Sequence, residues 1–259
     1  MSASVTAAPA AALALEAPRA LSARASAAPV PRTSGAHGLD KRLFLDVNSF
    51  ARHTGWLHAP MLAYAVEGGI ILLALLLVVG WWLARRRRDA PAMAAALWAG
   101  IATIAAVGIV QPVNHAVAEA RPWEGLPHAL ILAGHSTDFS FPSDHAVMAG
   151  AVTAGLFLYH RRLGVIAAIA AVLLCFGRVY IGAHYPQDVA AGLIIGAVVV
   201  LIGYVIVHVP LAALVRLASR TPLRILVTAR PGLLEPAGAR RAREGQPADA
   251  PSAGSAPIR

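Results

Sequence analysis

Five long apolar blocks constrain this chain more than any other feature of its sequence. A helix needs about 20 apolar residues to cross the hydrocarbon core of a bilayer, and each block approaches that length, the third only with its polar end included. The sequence therefore predicts an all-α integral membrane helical bundle of about five transmembrane helices, with Pro210 ending the last. A sixth span or a re-entrant segment between residues 43 and 57 stays open. The blocks are Leu62–Ala84, Ala92–Val110, Ser143–Tyr159, Leu163–Ile181 and Val189–Val209.

The composition favours the same fold class. Hydrophobic residues make up 58% of the chain and charged residues only 14%, against roughly a quarter charged in a soluble domain. The net charge of +9 comes from short basic runs beside the apolar blocks and from the C-terminal segment. That placement is typical of topology signals and contacts with anionic lipid, so we expect membrane lipids as partners and no nucleic acid. Cys175 is the only cysteine, which excludes an internal disulfide and argues against a cysteine metal site.

The basic runs also predict an orientation. If the spans alternate, Arg85–Arg88, Arg161–Arg162 and the arginines after residue 210 fall on one side of the membrane. The positive-inside rule makes that side cytoplasmic. The loop from Gln111 to Pro142 and the turn from Gly182 to Gln187 then lie on the outer side of the cytoplasmic (inner) membrane. Apart from the basic runs, the polar chemistry of the membrane domain is concentrated in and beside these two segments.

Four regions are predicted along the chain. Residues 1–38 are rich in Ala, Pro and Ser and are expected to form a disordered tail. Residues 39–60 mix apolar and polar residues in a pattern that favours an amphipathic helix lying on the membrane surface. Residues 61–210 form the transmembrane domain, and residues 211–259 form a basic cytoplasmic tail.

One polar cluster contains Arg178, His184 and Asp188. Pro186 suits the first turn of a helix, which puts His184 just before the fifth span and Asp188 in its first turn. A carboxylate there can accept a hydrogen bond from one imidazole nitrogen and leave the other nitrogen as a nucleophile. Taken singly, Asp188 also fits an interaction with the helix dipole, and Arg178 fits snorkelling to the interface as well as it fits a functional role.

A second cluster is a predicted helix start at residues 142–144, and the free N–H groups of a helix start bind anions. His145 in the first turn could donate a proton to a leaving oxygen, although a lone histidine there is more often interfacial packing. A third cluster, Asn114 to Pro122, adds Arg121 in a loop. Together the clusters supply two arginines for a phosphate, a histidine nucleophile with its carboxylate, and a histidine acid. This joint pattern favours phosphoryl chemistry more than any of its members does alone.

The clusters resemble the three-part signature of the type 2 phosphatidic acid phosphatase family. That signature reads Lys-x6-Arg-Pro, then Pro-Ser-Gly-His, then Ser-Arg-x5-His-x3-Asp. Every spacing is kept here, and the resemblance extends over about Gly69 to Val209, including the arrangement of spans. The matching segments are Asn114-x6-Arg121-Pro122, Pro142-Ser143-Asp144-His145 and Gly177-Arg178-x5-His184-x3-Asp188.

Three residues depart from the signature. Asn114 replaces the lysine and removes one charge from the phosphate clamp, although an amide can still donate a hydrogen bond. Asp144 replaces the glycine, as in the bacterial undecaprenyl-diphosphate phosphatase branch. Gly177 replaces the serine and lacks its hydroxyl. The missing lysine puts the strength of the clamp in question and leaves the nucleophile in place.

The resemblance implies a lipid phosphatase that forms a phosphohistidine. His184 would attack the terminal phosphorus, Asp188 would hold it, and His145 would protonate the leaving oxygen and then activate water. The implied substrate is undecaprenyl or another polyprenyl diphosphate, cleaved to the monophosphate at the outer face of the membrane during recycling of the cell-wall carrier. No metal and no cofactor are expected, because the phosphate would be bound by the helix-start N–H groups and by Arg121, Arg178, Ser143, Asp144 and Asn114.

Other functions share the signature or the architecture. Phosphatidate or phosphatidylglycerol phosphate could replace the polyprenyl diphosphate, and a lipid phosphotransferase would use the same residues. Vanadium-dependent haloperoxidases carry the signature but are soluble, which five apolar blocks argue against. A non-enzymatic scaffold would keep the spans without needing His145, His184 and Asp188 together.

Overall fold

The computed structural model describes residues 38–87 and 89–228, and in these ranges the chain forms helices and no β-strand. The predicted disordered tail lies outside the described residues except for Gly38, as does the part of the predicted cytoplasmic tail beyond residue 228. A 3-10 turn at Gly55–Leu57 and a π-helical turn at Tyr64–Gly68, called the π-turn below, join the helices of the first long segment. The helices are α1 (Gly38–His53), α2 (His58–Ala63), α3 (Gly69–Arg86), α4 (Ala90–Val117), α5 (Pro122–Gly125), α6 (Asp144–Phe157), α7 (Arg161–Tyr180), α8 (Pro186–Ala218) and α9 (Arg224–Val227).

Four helical segments are long and apolar enough to cross a membrane: Gly55–Arg86, Ala90–Val117, Arg161–Tyr180 and Pro186–Ala218. Their outward faces carry apolar side chains, such as Ile104, Val205 and Ile206, which are 78%, 70% and 71% exposed. Apolar surface exposed along whole helices is typical of contact with lipid. The prediction of an all-α membrane bundle is confirmed, and the chain is a multi-pass membrane protein.

The predicted third span is a shorter interior helix. α6 has 14 residues, or about 21 Å at ~1.5 Å per residue, whereas the hydrocarbon core is ~30 Å thick. It packs against α4, α7 and α8 and buries most of its residues. At Gly196 of α8 a Cβ would lie 2.0 Å from the carbonyl oxygen of Val147 in α6. Small residues of this kind let two helices pack backbone to backbone inside a bilayer.

Two predicted boundaries are wrong. α4 continues to Val117, so Gln111 and Asn114 lie on its last turns and not in a loop. α8 continues through Pro210 to Ala218, so this proline does not end the last span. A proline removes only one backbone donor from a helix. The rest of the helix still satisfies its own backbone, as any segment in the hydrocarbon core must.

The residues of the three polar clusters gather at one end of the bundle, called the site end below, where α4 ends, α6 begins, α7 ends and α8 begins. α1 lies against this end through Phe44, which is fully buried with its ring centroid 5.4 Å from that of Tyr185. Asp40 of α1 accepts a hydrogen bond from the backbone N–H of Gln187 at 2.8 Å, in the first turn of α8. Whether residues 39–60 lie on a membrane surface stays a prediction.

Candidate active site

The three polar clusters meet at the site end around one cavity of about 490 Å³. The end of α4 and the loop after it supply one wall, the start of α6 supplies another, and the end of α7 with the turn before α8 supplies the third. The sequence-predicted residues that line this cavity are Asn114, Arg121, Asp144, His145, Arg178 and His184.

His184 lies at the floor of the cavity, in the turn between α7 and α8, and is only 3% exposed. Its Nδ1 lies 2.9 Å from the carbonyl oxygen of Ser140. Because a carbonyl can only accept, Nδ1 carries the hydrogen and Nε2 is left with its lone pair. Nε2 faces two guanidinium groups, 3.2 Å from Arg178 Nη2 and 3.4 Å from Arg121 Nη1.

Asp188 is fully buried behind His184. We expected its carboxylate to accept a hydrogen bond from the imidazole, and the structure differs: His184 Nδ1 and Asp188 Oδ2 are 3.7 Å apart, beyond hydrogen-bond range. Asp188 Oδ2 instead accepts from the hydroxyl of Ser140 at 2.5 Å and from the backbone N–H of Tyr185 at 2.8 Å. Asp188 therefore holds Ser140, and the carbonyl of Ser140 holds the imidazole.

The surroundings of His184 keep its ring neutral. Burial, then the neighbouring Arg178 and Arg121 cations, lower the pKa of His184 well below its ordinary value. A neutral imidazole with a fixed Nδ1–H presents its Nε2 lone pair across the neutral pH range, which is the state that a nucleophile needs.

Each arginine is held by main-chain carbonyls. Arg121 Nε donates to the carbonyl of Asp138 at 2.8 Å, and its Nη1 donates to the carbonyl of Ala183 at 3.1 Å. Arg178 Nη1 donates to the carbonyl of Ala65 at 3.3 Å, and its Nε is buried without a hydrogen-bond partner. Neutral oxygens fix the two guanidiniums and leave their positive charge for an anion in the cavity.

His145 and Asp144 open α6, as predicted for a helix that begins at this point. His145 Nε2 lies 3.1 Å from the carbonyl oxygen of Val66 in the π-turn. Both oxygens of Asp144 accept from Gln111 Nε2, at 3.2 and 3.3 Å. Ser143, by contrast, does not line the cavity: its hydroxyl oxygen is buried without a hydrogen-bond partner.

Asn114 is buried on α4 and uses its amide to hold the following loop. Its Nδ2 donates to the carbonyls of Phe139 and Phe141, at 3.2 and 3.0 Å. Both amide hydrogens are therefore committed to the backbone. A contribution of Asn114 to phosphate binding stays a prediction, and the structure gives it a second part as the residue that holds the loop beside Ser140.

Four polar residues near the site were missed in the sequence. Gln111 could have been found, because it precedes Asn114 by three residues and shares its helix face. Ser140, Glu119 and Asn48 gave no such signal, because each acts through a contact with residues distant in sequence: Ser140 with Asp188, Glu119 with Gln187 and Asn48 with Leu130.

No cluster of three or more histidine, cysteine, aspartate or glutamate side chains suited to a metal ion occurs in residues 38–87 and 89–228. The polar groups around the cavity are mostly cationic or donors, a set that suits an anion. The absence of a metal or cofactor requirement stays an expectation for experiment.

Comparison with known proteins relates residues 95–210 to the PAP2 superfamily. Undecaprenyl-diphosphatase BcrC of Bacillus subtilis (strain 168) is 35% identical over 104 residues, which are 40% of this chain and 53% of that protein. A lipid A 1-phosphatase of Rhizobium johnstonii is 46% identical over 65 residues, 25% of this chain and 27% of that protein. The chain thus spans about a quarter to a half of the length of these curated relatives.

Among solved structures, the crystal structure of Aquifex aeolicus LpxE matches with a TM-score of 0.48 and 26% identity, over 64% of this chain and 94% of that one. The family match begins in α4 and ends in α8, so it excludes α1 and α3, whereas the resemblance in the sequence extended back to about Gly69. All eight predicted site residues lie within the matched region. The predicted family is confirmed. The chain carries a PAP2 superfamily domain at residues 95–210.

Proposed function

We propose that this chain is a lipid phosphatase in which Nε2 of His184 is the nucleophile. One observation carries the proposal: a buried imidazole donates its Nδ1–H to the carbonyl of Ser140 and points its Nε2 at two guanidiniums that line the same cavity. A nucleophile between two fixed cations suits the terminal phosphoryl group of a phosphate ester or diphosphate.

The first step transfers the phosphoryl group to the enzyme. The Nε2–P bond forms while the bond from phosphorus to the leaving oxygen breaks, and His145 gives that oxygen a proton. Arg121 and Arg178 bind the equatorial phosphoryl oxygens, whose charge they already face. Asp188, 3.7 Å from Nδ1, stabilises the positive charge that the phosphorylated ring acquires.

The second step releases orthophosphate. Water attacks the phosphorus, its proton passes to His145, and the P–Nε2 bond breaks to restore the neutral imidazole. The arginines and the N–H groups at the start of α6 supply the positive potential throughout. We therefore propose that neither step needs a metal ion or cofactor.

The proposed substrate is undecaprenyl or another polyprenyl diphosphate, cleaved to the monophosphate. Support comes from the similarity to an undecaprenyl-diphosphatase of Bacillus subtilis and from Asp144, which stands where the family signature has glycine. A second candidate, a glycolipid phosphate, is supported by the lipid A 1-phosphatase relatives, which share 46% and 44% identity over shorter segments. Both substrates combine a phosphate with long apolar chains, as a site at the end of lipid-facing helices requires.

A panel of lipid phosphates distinguishes these substrates. Purified protein in detergent is given polyprenyl diphosphate, a lipid A 1-phosphate, phosphatidate and phosphatidylglycerol phosphate, each with and without a chelator, and orthophosphate release is measured. We expect the highest kcat/KM on the polyprenyl diphosphate, no loss with the chelator, and inhibition by vanadate, which mimics the five-coordinate phosphorus. No release from any substrate by folded protein would contradict the proposed function, and phosphate found on an added acceptor lipid would make the protein a phosphotransferase.

We also propose that the site end lies on the outer face of the cytoplasmic membrane, because the basic runs at the other ends of the helices favour the cytoplasm. Asp138 is exposed at the site end and Arg161 is exposed at the start of α7, while the native Cys175 is buried. In intact cells an impermeant thiol reagent should label Asp138→Cys and not Arg161→Cys. Labelling of Arg161→Cys alone would show that the protein has the opposite orientation.

A further inference from the structure

The first membrane segment is interrupted by the π-turn at the depth of the active site. The backbone N–H of Gly69 bonds the carbonyl of Tyr64, five residues back, instead of four as in an α-helix. The turn is anchored to α7 by Tyr64, whose hydroxyl donates to the carbonyl of Ala170 at 2.9 Å. π-turns inside α-helices are frequent at functional sites, which directs attention to what this one contacts.

Two consecutive carbonyls of the π-turn hold two proposed site residues. The carbonyl oxygen of Ala65 accepts from Arg178 Nη1 at 3.3 Å. The carbonyl oxygen of Val66 lies 3.1 Å from His145 Nε2. Since a carbonyl can only accept, Nε2 of His145 carries a hydrogen. Nδ1 of His145 is then the nitrogen that is left to give and take a proton.

Gly177 gives the π-turn the space to reach these residues. A Cβ at Gly177 would lie 2.9 Å from the Cβ of Ala65 and 3.1 Å from the sulfur of Met61. Ala65 is fully buried, and its Cβ is attached directly to the backbone, so it cannot rotate away. Gly177 is also the position at which the family signature carries serine, so the departure noted in the sequence coincides with this close approach.

We propose that the π-turn is a positioning element of the active site: its Ala65 and Val66 carbonyls orient Arg178 and His145, and Gly177 makes that contact possible. The inference rests on the proposed function and adds to it a segment outside the matched residues 95–210. It has an unusual consequence. Restoring the family's serine at position 177 should impair this enzyme, because the side chain would push the π-turn away from both residues.

The test compares Gly177→Ala and Gly177→Ser with a glycine control on α4. A Cβ at Gly100 meets nothing within 4 Å, so Gly100→Ala adds the same methyl group in open space. We expect Gly177→Ala to lower kcat by roughly 10- to 100-fold, the cost of displacing a catalytic group by about 1 Å, and Gly100→Ala to retain wild-type kcat. Gly177→Ser should lower kcat at least as much as Gly177→Ala.

Two further readouts separate positioning from loss of folding. Because His145 is misplaced, the loss in Gly177→Ala should be larger for a poor alkoxide leaving group than for an activated aryl phosphate. The double variant Ala65→Gly with Gly177→Ala removes the methyl group that the new side chain meets, so it should recover most of the lost kcat. Thermal unfolding in detergent is measured for every variant.

The outcomes are distinct from those of the proposed function. If the wild-type protein releases no phosphate from any lipid, the proposed function fails before this inference is reached. If the wild-type protein is active and Gly177→Ala matches it, or loses activity equally on both leaving groups with no recovery in the double variant, the π-turn does not position His145. Recovery together with the leaving-group difference supports the inference.

Discussion

The PAP2 domain and the segment before it contribute to the same site in different ways. Every side chain that we propose to touch phosphate or move a proton lies between Asn114 and Asp188. The segment of residues 38–86 contributes the main-chain carbonyls of the π-turn, which contact Arg178 and His145. It also contributes two side chains of α1: Asp40 accepts a hydrogen bond from the start of α8, and Asn48 bonds the loop at Leu130. The comparison teaches that a motif identifies the chemistry, whereas the geometry of that chemistry depends on a region that the motif does not cover.

The two histidines show the same contrast between the domain and the preceding segment. Each is oriented by a carbonyl oxygen, but the carbonyl that holds His184 belongs to Ser140, inside the PAP2 domain, and the one that holds His145 belongs to Val66, outside it. Loss of the nucleophile in the domain should therefore abolish the reaction, whereas changes to the preceding segment should weaken it in graded steps.

The largest effect is expected at the nucleophile. His184→Gln replaces the nucleophilic imidazole with an amide that is not a nucleophile, which removes the covalent intermediate, so kcat should fall by roughly 10⁵-fold or more on every substrate. His128→Gln changes an exposed histidine of the same site end and should leave kcat unaltered. Substantial residual turnover by a folded His184→Gln protein would remove the covalent mechanism.

An intermediate effect is expected from changing Asp188 and Ser140, which lie behind the nucleophile. Asp188→Asn removes the charge that stabilises the phosphorylated ring and should lower kcat by about 10²- to 10⁴-fold. Ser140→Ala removes the hydroxyl that links Asp188 to the loop but keeps the carbonyl that holds Nδ1, so its loss should be clearly smaller. Steady-state kinetics on one substrate measures both. Equal losses would mean that the hydroxyl, and not the carboxylate charge, is what matters.

A smaller effect is expected from removing the hydrogen bonds between Asn48 of α1 and the backbone of Leu130. Asn48 is buried, donates to the carbonyl of Leu130 at 2.7 Å and accepts from its N–H at 3.0 Å. Asn48→Ala leaves that peptide group unsatisfied, a cost of ~1–3 kcal/mol for each buried group. We expect kcat/KM to fall by about 10-fold, with exposed Ser49→Ala as the matched control. Unchanged kcat/KM would restrict α1 to a part in stability.

The smallest effect concerns pH and stability. Burial, reinforced by the charge of Asp188, raises the pKa of Glu119 to about 7, while the hydrogen bond from Gln187 opposes the shift. A carboxyl with a raised pKa in the folded state stabilises it fully below the unfolded pKa of about 4.3, and this contribution is lost as pH rises through about 7.

Glu119→Gln stays neutral at every pH and tests this linkage. Between pH 5 and pH 8 the wild-type protein should lose about 2–4 °C more in Tm than the Glu119→Gln variant, measured by thermal unfolding in detergent. Exposed Glu124→Gln should behave as the wild type does. Parallel pH profiles for the wild type and Glu119→Gln would contradict the assignment.

The sequence predicted the helices and the polar clusters well, because both rest on local signals. Apolar length predicts a span, and the fixed spacings of Arg178, His184 and Asp188 survive any detail of packing. The helix start at Ser143 was also predicted correctly from proline and capping residues. The end of α8 was not, because a proline costs a helix one hydrogen bond without having to end it, and a segment in hydrocarbon must satisfy its backbone internally.

What the sequence could not predict depends on contacts between distant segments. The bond from Ser140 to Asp188 joins residues 48 apart, and the bond from the π-turn to Arg178 joins residues 113 apart. Nothing in the local pattern distinguishes Ser140 from other loop serines. The commitment of the Asn114 amide to Phe139 and Phe141 is equally invisible, since an asparagine at a family lysine position first suggests a weaker phosphate ligand.

Trapping the phosphoenzyme tests the central claim most directly. Wild-type protein is mixed with a substrate labelled in its terminal phosphate, quenched in base within one turnover, and digested for peptide mass spectrometry; a phosphoramidate survives base. The account predicts one labelled histidine, His184, and no label in the His184→Gln protein. Label on another residue would contradict it. So would turnover by the wild-type protein with no trapped label and with inversion of configuration at phosphorus, which indicates direct attack by water.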